Sequence, residues 1–181
     1  MNLGRQIYTL LRTPIIKFNL KKSHLKLNKE LIKLAYSLKD KNKGVVKSNK
    51  HGYQSQLITN ENTIIKKFIK KFEIPFSIFA DEIKLNKPWT CHPDLPWINI
   101  SSKGAYNIYH AHGEAHFAAV YYIQVPKNSG QIKFLKDRHV FDYFPNQYDL
   151  LIFPGWLQHS VCKNKSNEDR ISIAWNINIK Q

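Results

Sequence analysis

Four of the eight histidines of this chain, His110, His112, His116 and His159, fall in two short segments of its C-terminal half. The run AYNIYHAH alternates with a period of two, so a strand there projects His110 and His112 from one face. Neutral imidazoles placed side by side suit a borderline divalent cation such as Fe(II), Zn(II) or Ni(II). His159 comes 49 residues after His110, just past FPGWLQ, where a neighbouring strand is expected to complete the site. Arg170 opens RISIAWNI, an apolar strand with no use for a guanidinium unless an anion meets it. Its planar fork matches a carboxylate at two points. Ser172, two residues on, shares that face and offers a further hydrogen bond. Together these residues supply a metal site with an anion anchor beside it.

Elements with the right periodicity surround them. WINI, AYNIYHAH, HFAAVYYIQV, GQIKFL, DLLIFP and RISIAWNINI are short apolar or alternating runs, separated by NSG, FPNQY and KNKSNED, the pattern of an antiparallel sandwich or barrel. The front of the chain reads as helical. LNKELIKLAYSLKD places Leu31, Ile32, Leu34, Ala35 and Leu38 at helical spacing, with Asn28 expected as N-cap and Leu27 stapled onto Ile32. In NENTIIKKFIKKFEIP, Ile64, Ile65, Phe68, Ile69 and Phe72 form one face and Lys66, Lys67, Lys70 and Lys71 the other, with Pro75 soon after the expected end. A short third helix is expected over 76–85. KDKNKGVVKSNKHGYQSQ reads as a loop, and KPWTCHPDLPW as irregular chain. With no internal repeat, 1–181 reads as one domain: a basic, partly helical support region (1–90) and a β-core (97–181) that carries the metal site.

The chain has 181 residues, 43% of them hydrophobic, and a formal charge of +15. That length supports one real core, and no run approaches a membrane-spanning stretch. The charge is lopsided: residues 1–90 hold 19 Lys+Arg against 6 Asp+Glu, residues 91–181 hold 9 against 7. A lysine-rich face toward phosphate is one reading. A solvated surface in a sequence of AT-rich bias is the other, since Lys (24), Asn (16) and Ile (21) are all enriched. The start, MNLGRQIYTLLRTPIIKF, lacks the uninterrupted apolar core of a secretory leader, and Cys91 and Cys162 are too few for a disulfide framework, so a cytoplasmic protein with no membrane partner is expected.

The order of His110, a distal His159 and then Arg170 resembles the Fe(II)/2-oxoglutarate dioxygenases. The stretches SNKHGYQS, WINI, YNIYHAH, VYYIQVPKNSG, FPGWLQHSV and EDRISIAWNI, over roughly residues 45–179, are similar to a branch of small oxygenases found in phages and marine bacteria. The resemblance implies a mainly β chain, a double-stranded β-helix (jelly roll) with N-terminal supporting α-helices. It implies Fe(II), 2-oxoglutarate and O2 as cofactor and co-substrates, and host cytoplasm if the gene is a phage's. Carried over residue by residue, it puts His110 and His159 at two ligand positions, Arg170 at the far carboxylate of 2-oxoglutarate and Tyr122 beside Arg170, with Tyr121 as the fallback. One departure matters: the position two after His110, Asp or Glu in most of the superfamily, is His112. Either three histidines hold the metal, the first choice, or His112 and Glu114 form the pair with His159.

The chemistry implied is hydroxylation of an unidentified substrate, a small molecule or a protein side chain, with nucleic acid a less favoured partner. Two other readings remain open: a cupin-like metal enzyme or metal-binding protein that does not use 2-oxoglutarate, and a basic binding module with a dead site.

Overall fold

The structure is a computed structural model that describes residues 13–85 and 87–181. The leader question raised by the first twelve residues therefore lies outside the described residues. The chain is mainly β, with two antiparallel sheets face to face. The larger runs β1 (Ile16–Asn19), β10 (Asp149–Pro154), β7 (Phe117–Gln124), β12 (Arg170–Lys180), β5 (Trp97–Ser101) and β3 (Tyr53–Gln54), with β4 (Thr90–Pro93) pairing the far half of β12. The smaller runs β2 (Asn49–Lys50), β6 (Tyr106–His110), β11 (Gln158–Val161), β8 (Ile132–Lys136) and β9 (His139–Tyr143).

Period-two alternation divides the larger sheet between two apolar environments. Ile98 and Ile100, Tyr121 and Ile123, Leu150 and Ile152, and Ile171, Ile173 and Trp175 all face the helices. There they meet Leu27, Leu31 and Leu34 of α1 (Lys21–Lys41), Ile65 and Phe68 of α2 (Thr63–Lys70), and Phe79 of α3 (Glu73–Glu82). Phe72 lies edge-on to Tyr121 at 5.6 Å and to Trp175 at 5.1 Å, pairs worth about 0.5–1.5 kcal/mol each beyond their buried area. On the other face Ala118, Tyr122, Leu151 and Phe153 pack with Ile132, Phe134 and Leu157 of the small-sheet side. This leaves one end of the space between the sheets open for a site.

Several local expectations are corrected. α1 begins at Lys21, so Asn28 lies within the helix and caps nothing. It is buried, accepts from Tyr121 Oη (2.7 Å) and donates to the Ile123 carbonyl (2.8 Å), tying helix to sheet through one carboxamide. Asn62 is the cap that the helices do use: its Oδ1 accepts from the Ile64 and Ile65 amides at the start of α2. Pro75 does follow the end of α2 at Lys70, but α3 starts at Glu73 rather than at 76, so the proline falls in its first turn, where a helix has no internal partner for the missing N–H. The irregular 87–97 region includes β4, and the front half also supplies β1, β2 and β3, so both sheets draw on the region read as support. Among the described residues no helix is long and apolar enough to cross a membrane.

Candidate metal centre

His110 closes β6 and His159 sits on β11, and the two are directly opposed in the ladder. Their ring centroids are 4.2 Å apart, and His112 lies 5.4 Å from His110 and 5.3 Å from His159. The three candidate ligand atoms all fall within 4.8 Å of one another. The route by which His112 arrives differs from strand alternation, because β6 ends at His110. A turn brings it back: its amide donates to the Gly155 carbonyl (2.7 Å), its carbonyl accepts from the Ala115 amide (2.9 Å), and the Gly155 amide donates to the His116 carbonyl (2.9 Å). A Cβ at Gly155 would collide with the Ala115 and His112 carbonyls, so this approach requires glycine. Trp97 stacks on the His112 ring from β5, centroids 6.0 Å apart and planes 25° off parallel.

The donor set fits a borderline divalent cation. Nδ1 of His110 lies 2.9 Å from the Ile108 carbonyl, and Nδ1 of His159 lies 2.9 Å from the Leu157 carbonyl. A carbonyl only accepts, so Nδ1 carries the proton in both rings and Nε2 keeps its lone pair, which in His110 accepts from Ser48 Oγ (3.3 Å) and is the atom that would meet a metal. Burial lowers all three pKa values, His112 to about 4 and His159 to about 3, and for those two the repulsion of neighbouring imidazoles adds to the fall, so the rings are neutral near pH 7. Asn176 approaches His112 from β12. Its Oδ1 is buried and forms no hydrogen bond, yet lies close enough to the imidazole to oppose the fall in its pKa.

The histidines line a cavity of about 910 Å³ between the sheets, with Arg170, Tyr122 and Ser172 at its buried end. Arg170 donates through Nη1 to the Ser129 and Gly130 carbonyls (2.9 and 3.1 Å) and through Nη2 to Ser101 Oγ (3.1 Å). Every one of these partners is neutral, and burial lowers the guanidinium's pKa. A buried cation with only neutral partners is costly unless an anion joins it. Tyr122, its hydroxyl pKa raised by burial, feels the Arg170 charge. Tyr121 points the other way, to Asn28.

The remaining candidates lie elsewhere. Glu114 is exposed and stands outside the histidine cluster. His116 is exposed, with Nδ1 3.3 Å from Asn178 Oδ1. Sequence reasoning missed Ser101, whose hydroxyl holds Arg170, and Trp97 and Asn176, which flank His112. Their strand parity was readable, since Trp97, Asn99 and Ser101 alternate with Ile98 and Ile100, but their neighbours across the sheet were not. It also missed the segment 45–57, which supplies much of the cavity mouth.

Residues 96–145 and 136–176 match the model of the family described as "Putative 2OG-Fe(II) oxygenase". Solved structures with a similar fold include a Pseudomonas putida prolyl-4-hydroxylase (15% identity, 91% of this chain and 92% of that one, TM-score 0.67). Another is the viral collagen prolyl hydroxylase of Paramecium Bursaria Chlorella virus-1 in its 2OG complex (17%, 90% and 94%, TM-score 0.65). A third is the non-heme alpha ketoglutarate dependent epimerase SnoN from nogalamycin biosynthesis (11%, 92% and 78%, TM-score 0.73). No curated protein matches the sequence. At such identities the structural likenesses speak to the jelly-roll fold alone. The matched family spans β5 to β12, the strands that carry the three histidines and Arg170, and by that match the chain belongs to the 2OG-Fe(II) oxygenases, enzymes of Fe(II), 2-oxoglutarate and O2.

Proposed function

We propose that this enzyme is a hydroxylase in which His110, His112 and His159 hold Fe(II), while Arg170, with Tyr122 and Ser172, holds the far carboxylate of 2-oxoglutarate. The observation that carries the reading is the convergence of three neutral imidazoles, two of them fixed in one tautomer, in the cavity whose buried end holds a guanidinium with no anionic partner. When bound, the metal supplies O2 activation coupled to oxidative decarboxylation of 2-oxoglutarate to succinate, the source of the oxygen placed in the substrate. The protein's part is position and shelter. Arg170 and the hydroxyls of Tyr122 and Ser172 orient the co-substrate with its keto acid end toward the histidines, and the apolar walls from Ala118, Val120, Ile132 and Phe153 exclude water.

An anaerobic titration with Fe(II) and 2-oxoglutarate tests the reading. A weak visible charge-transfer band of a chelated keto acid is expected at one equivalent of each. Its absence, with iron bound, would favour a cupin-like metal protein. The position of the lysine face supports a substrate other than nucleic acid: α2 packs on the face of the larger sheet opposite the cavity, and one of the four lysines on and just after it, Lys67, pairs with Glu30 at 3.2 Å. Two free thiols, Cys91 and Cys162, support a cytoplasmic location. Sheets shared by strands from both halves support a single domain.

A further inference from the structure

One wall of the cavity, on the β3 and β5 side, is made of side chains to which the reaction assigns nothing. On the larger sheet Gln54 of β3 is paired with Asn99 of β5. The bond from the Ser55 amide to the Ile98 carbonyl (2.9 Å) carries the ladder on. By parity Gln54, Gln56, Trp97 and Asn99 share the cavity face, and all four line it, as does the buried Ser55 between them, while Tyr53, Ile98 and Ile100 are buried and do not. The side-chain amides of Gln54, Gln56 and Asn99 form no hydrogen bond to any described residue. No Asp or Glu is among the described residues lining the cavity, and of its two cations Arg170 is buried and Lys47 exposed.

These facts constrain what can bind. Each carboxamide offers both donors and an acceptor, and residues directly opposed on antiparallel strands have Cβ atoms about 4.5–5.5 Å apart. That spacing suits a group with an N–H beside a C=O. Trp97 adds a flat apolar surface, and because the same indole stacks on His112, a group laid against it lies next to the candidate ligands. An ammonium is all donor and strongly hydrated, so it needs a carboxylate when it leaves water. This wall holds none, and Asn99 is the cross-strand partner of Ser172, two residues from Arg170, whose cation disfavours a second one nearby. Selection here comes as much from exclusion as from attraction.

We propose that this wall is the substrate subsite and that it takes an uncharged planar amide, read by Gln54 and Asn99 against Trp97, while refusing a substrate that presents an ammonium there. The proposal rests on the assignment of the histidines and Arg170 to Fe(II) and 2-oxoglutarate. An open-chain amide and a cyclic lactam present the same edge to the wall, and separate probes distinguish them.

The full chain is loaded anaerobically with Fe(II) and 2-oxoglutarate, and the chelate band is recorded first, which tests the metal and co-substrate assignment alone. N-acetylalanine methylamide (open-chain), thymine (cyclic) and alanine methylamide (the first probe with its ammonium restored) are then titrated. Binding is followed by the band and by the Trp97 indole N–H resonance, assigned with Trp97→Phe. At least one uncharged probe is expected to move both signals, with the ammonium analogue binding at least about 10-fold more weakly; Gln54→Glu and Asn99→Asp should narrow or reverse that ratio, and Gln54→Glu, one strand further from Ser172, should leave the chelate band in place. Whichever uncharged probe binds names the source of the amide. An ammonium analogue that binds wild type as tightly, a resonance that neither uncharged probe moves, or a ratio indifferent to both acidic variants would overturn the proposal. If the band never forms but the resonance responds as expected, the subsite stands and the metal assignment falls.

Discussion

His110 and His159 are cross-strand partners of β6 and β11, their rings 4.2 Å apart, so two of the three candidate ligands are set by one rung of a ladder. The third, His112, is held by a turn and by two neighbours from the opposite sheet, Trp97 and Asn176. The three should therefore respond alike to deletion and differently to changes around them.

His110→Ala, His112→Ala and His159→Ala are each expected to lower Fe(II) affinity by well over the roughly 10–100-fold that loss of an outer-shell partner costs. Glu114→Ala should leave it unchanged, because that carboxylate is exposed and outside the cluster. Iron content after desalting, with competition against a chelator, decides; retention of iron by His112→Ala and its loss in Glu114→Ala would move the third ligand by two residues.

Asn176→Ala should weaken Fe(II) binding by about 10–100-fold through the orientation of His112. Chelator competition and the width of the chelate band provide the readout. Asn176 drops out as the positioning residue if wild-type affinity and an unaltered band persist in that variant.

Truncation of Arg170 should raise the dissociation constant for 2-oxoglutarate by about 30-fold or more, since deleting one partner of a buried charge-assisted contact costs on the order of 2–5 kcal/mol. Iron binding should survive, and Arg170→Lys should restore only part of the affinity because an ammonium cannot form the fork. Calorimetry of 2-oxoglutarate binding to the Mn(II) form measures this without turnover. A melting curve on each variant accounts for the lost bonds to Ser129, Gly130 and Ser101.

Stability of the metal-free chain should fall on mild acidification. In the folded state His112 and His159 have pKa values of about 4 and about 3 against an ordinary 6.5. Between those limits the unfolded chain binds protons that the folded chain refuses. Stability is therefore full above about pH 6.5 and is lost as pH falls toward 3, by up to about 1.4 kcal/mol per pH unit for each group. The urea midpoint in EDTA should be lower at pH 5.5 than at 7.5, and His112→Gln with His159→Gln should flatten the difference. Equal midpoints in the parent chain would mean that these rings are solvated.

Reversing Lys66, Lys67, Lys70 and Lys71 should leave iron and 2-oxoglutarate binding untouched and change mainly solubility. Wild type should bind single-stranded DNA or RNA negligibly at about 150 mM salt; sub-micromolar binding there, falling with salt by a log–log slope of about 0.7–0.9 per phosphate and lost in the variant, would make nucleic acid the leading substrate.

Much of the site is legible along the chain because its residues sit on elements with a strict period. Arg170 and Ser172 amid Ile171 and Ile173, and Tyr122 beside Tyr121, declare which way each points once the strand is recognised, and the histidine spacing already names a metal. Periodicity reports a face, and it is silent about what lies opposite. It therefore read Asn28 as a cap, when its partners are Tyr121 and the Ile123 carbonyl some ninety residues away. It also carried β6 on through His112, where the chain in fact turns because Gly155 lets two backbones meet. Which of His112 and Glu114 joins the histidine cluster, the neutral partners of Arg170 and the acid-free wall of Gln54, Gln56 and Asn99 depend on which strands become neighbours across two sheets. Only the tertiary structure decides that, because contacts between distant segments arise from packing the two faces of each strand at once, and a one-dimensional pattern encodes only one strand at a time.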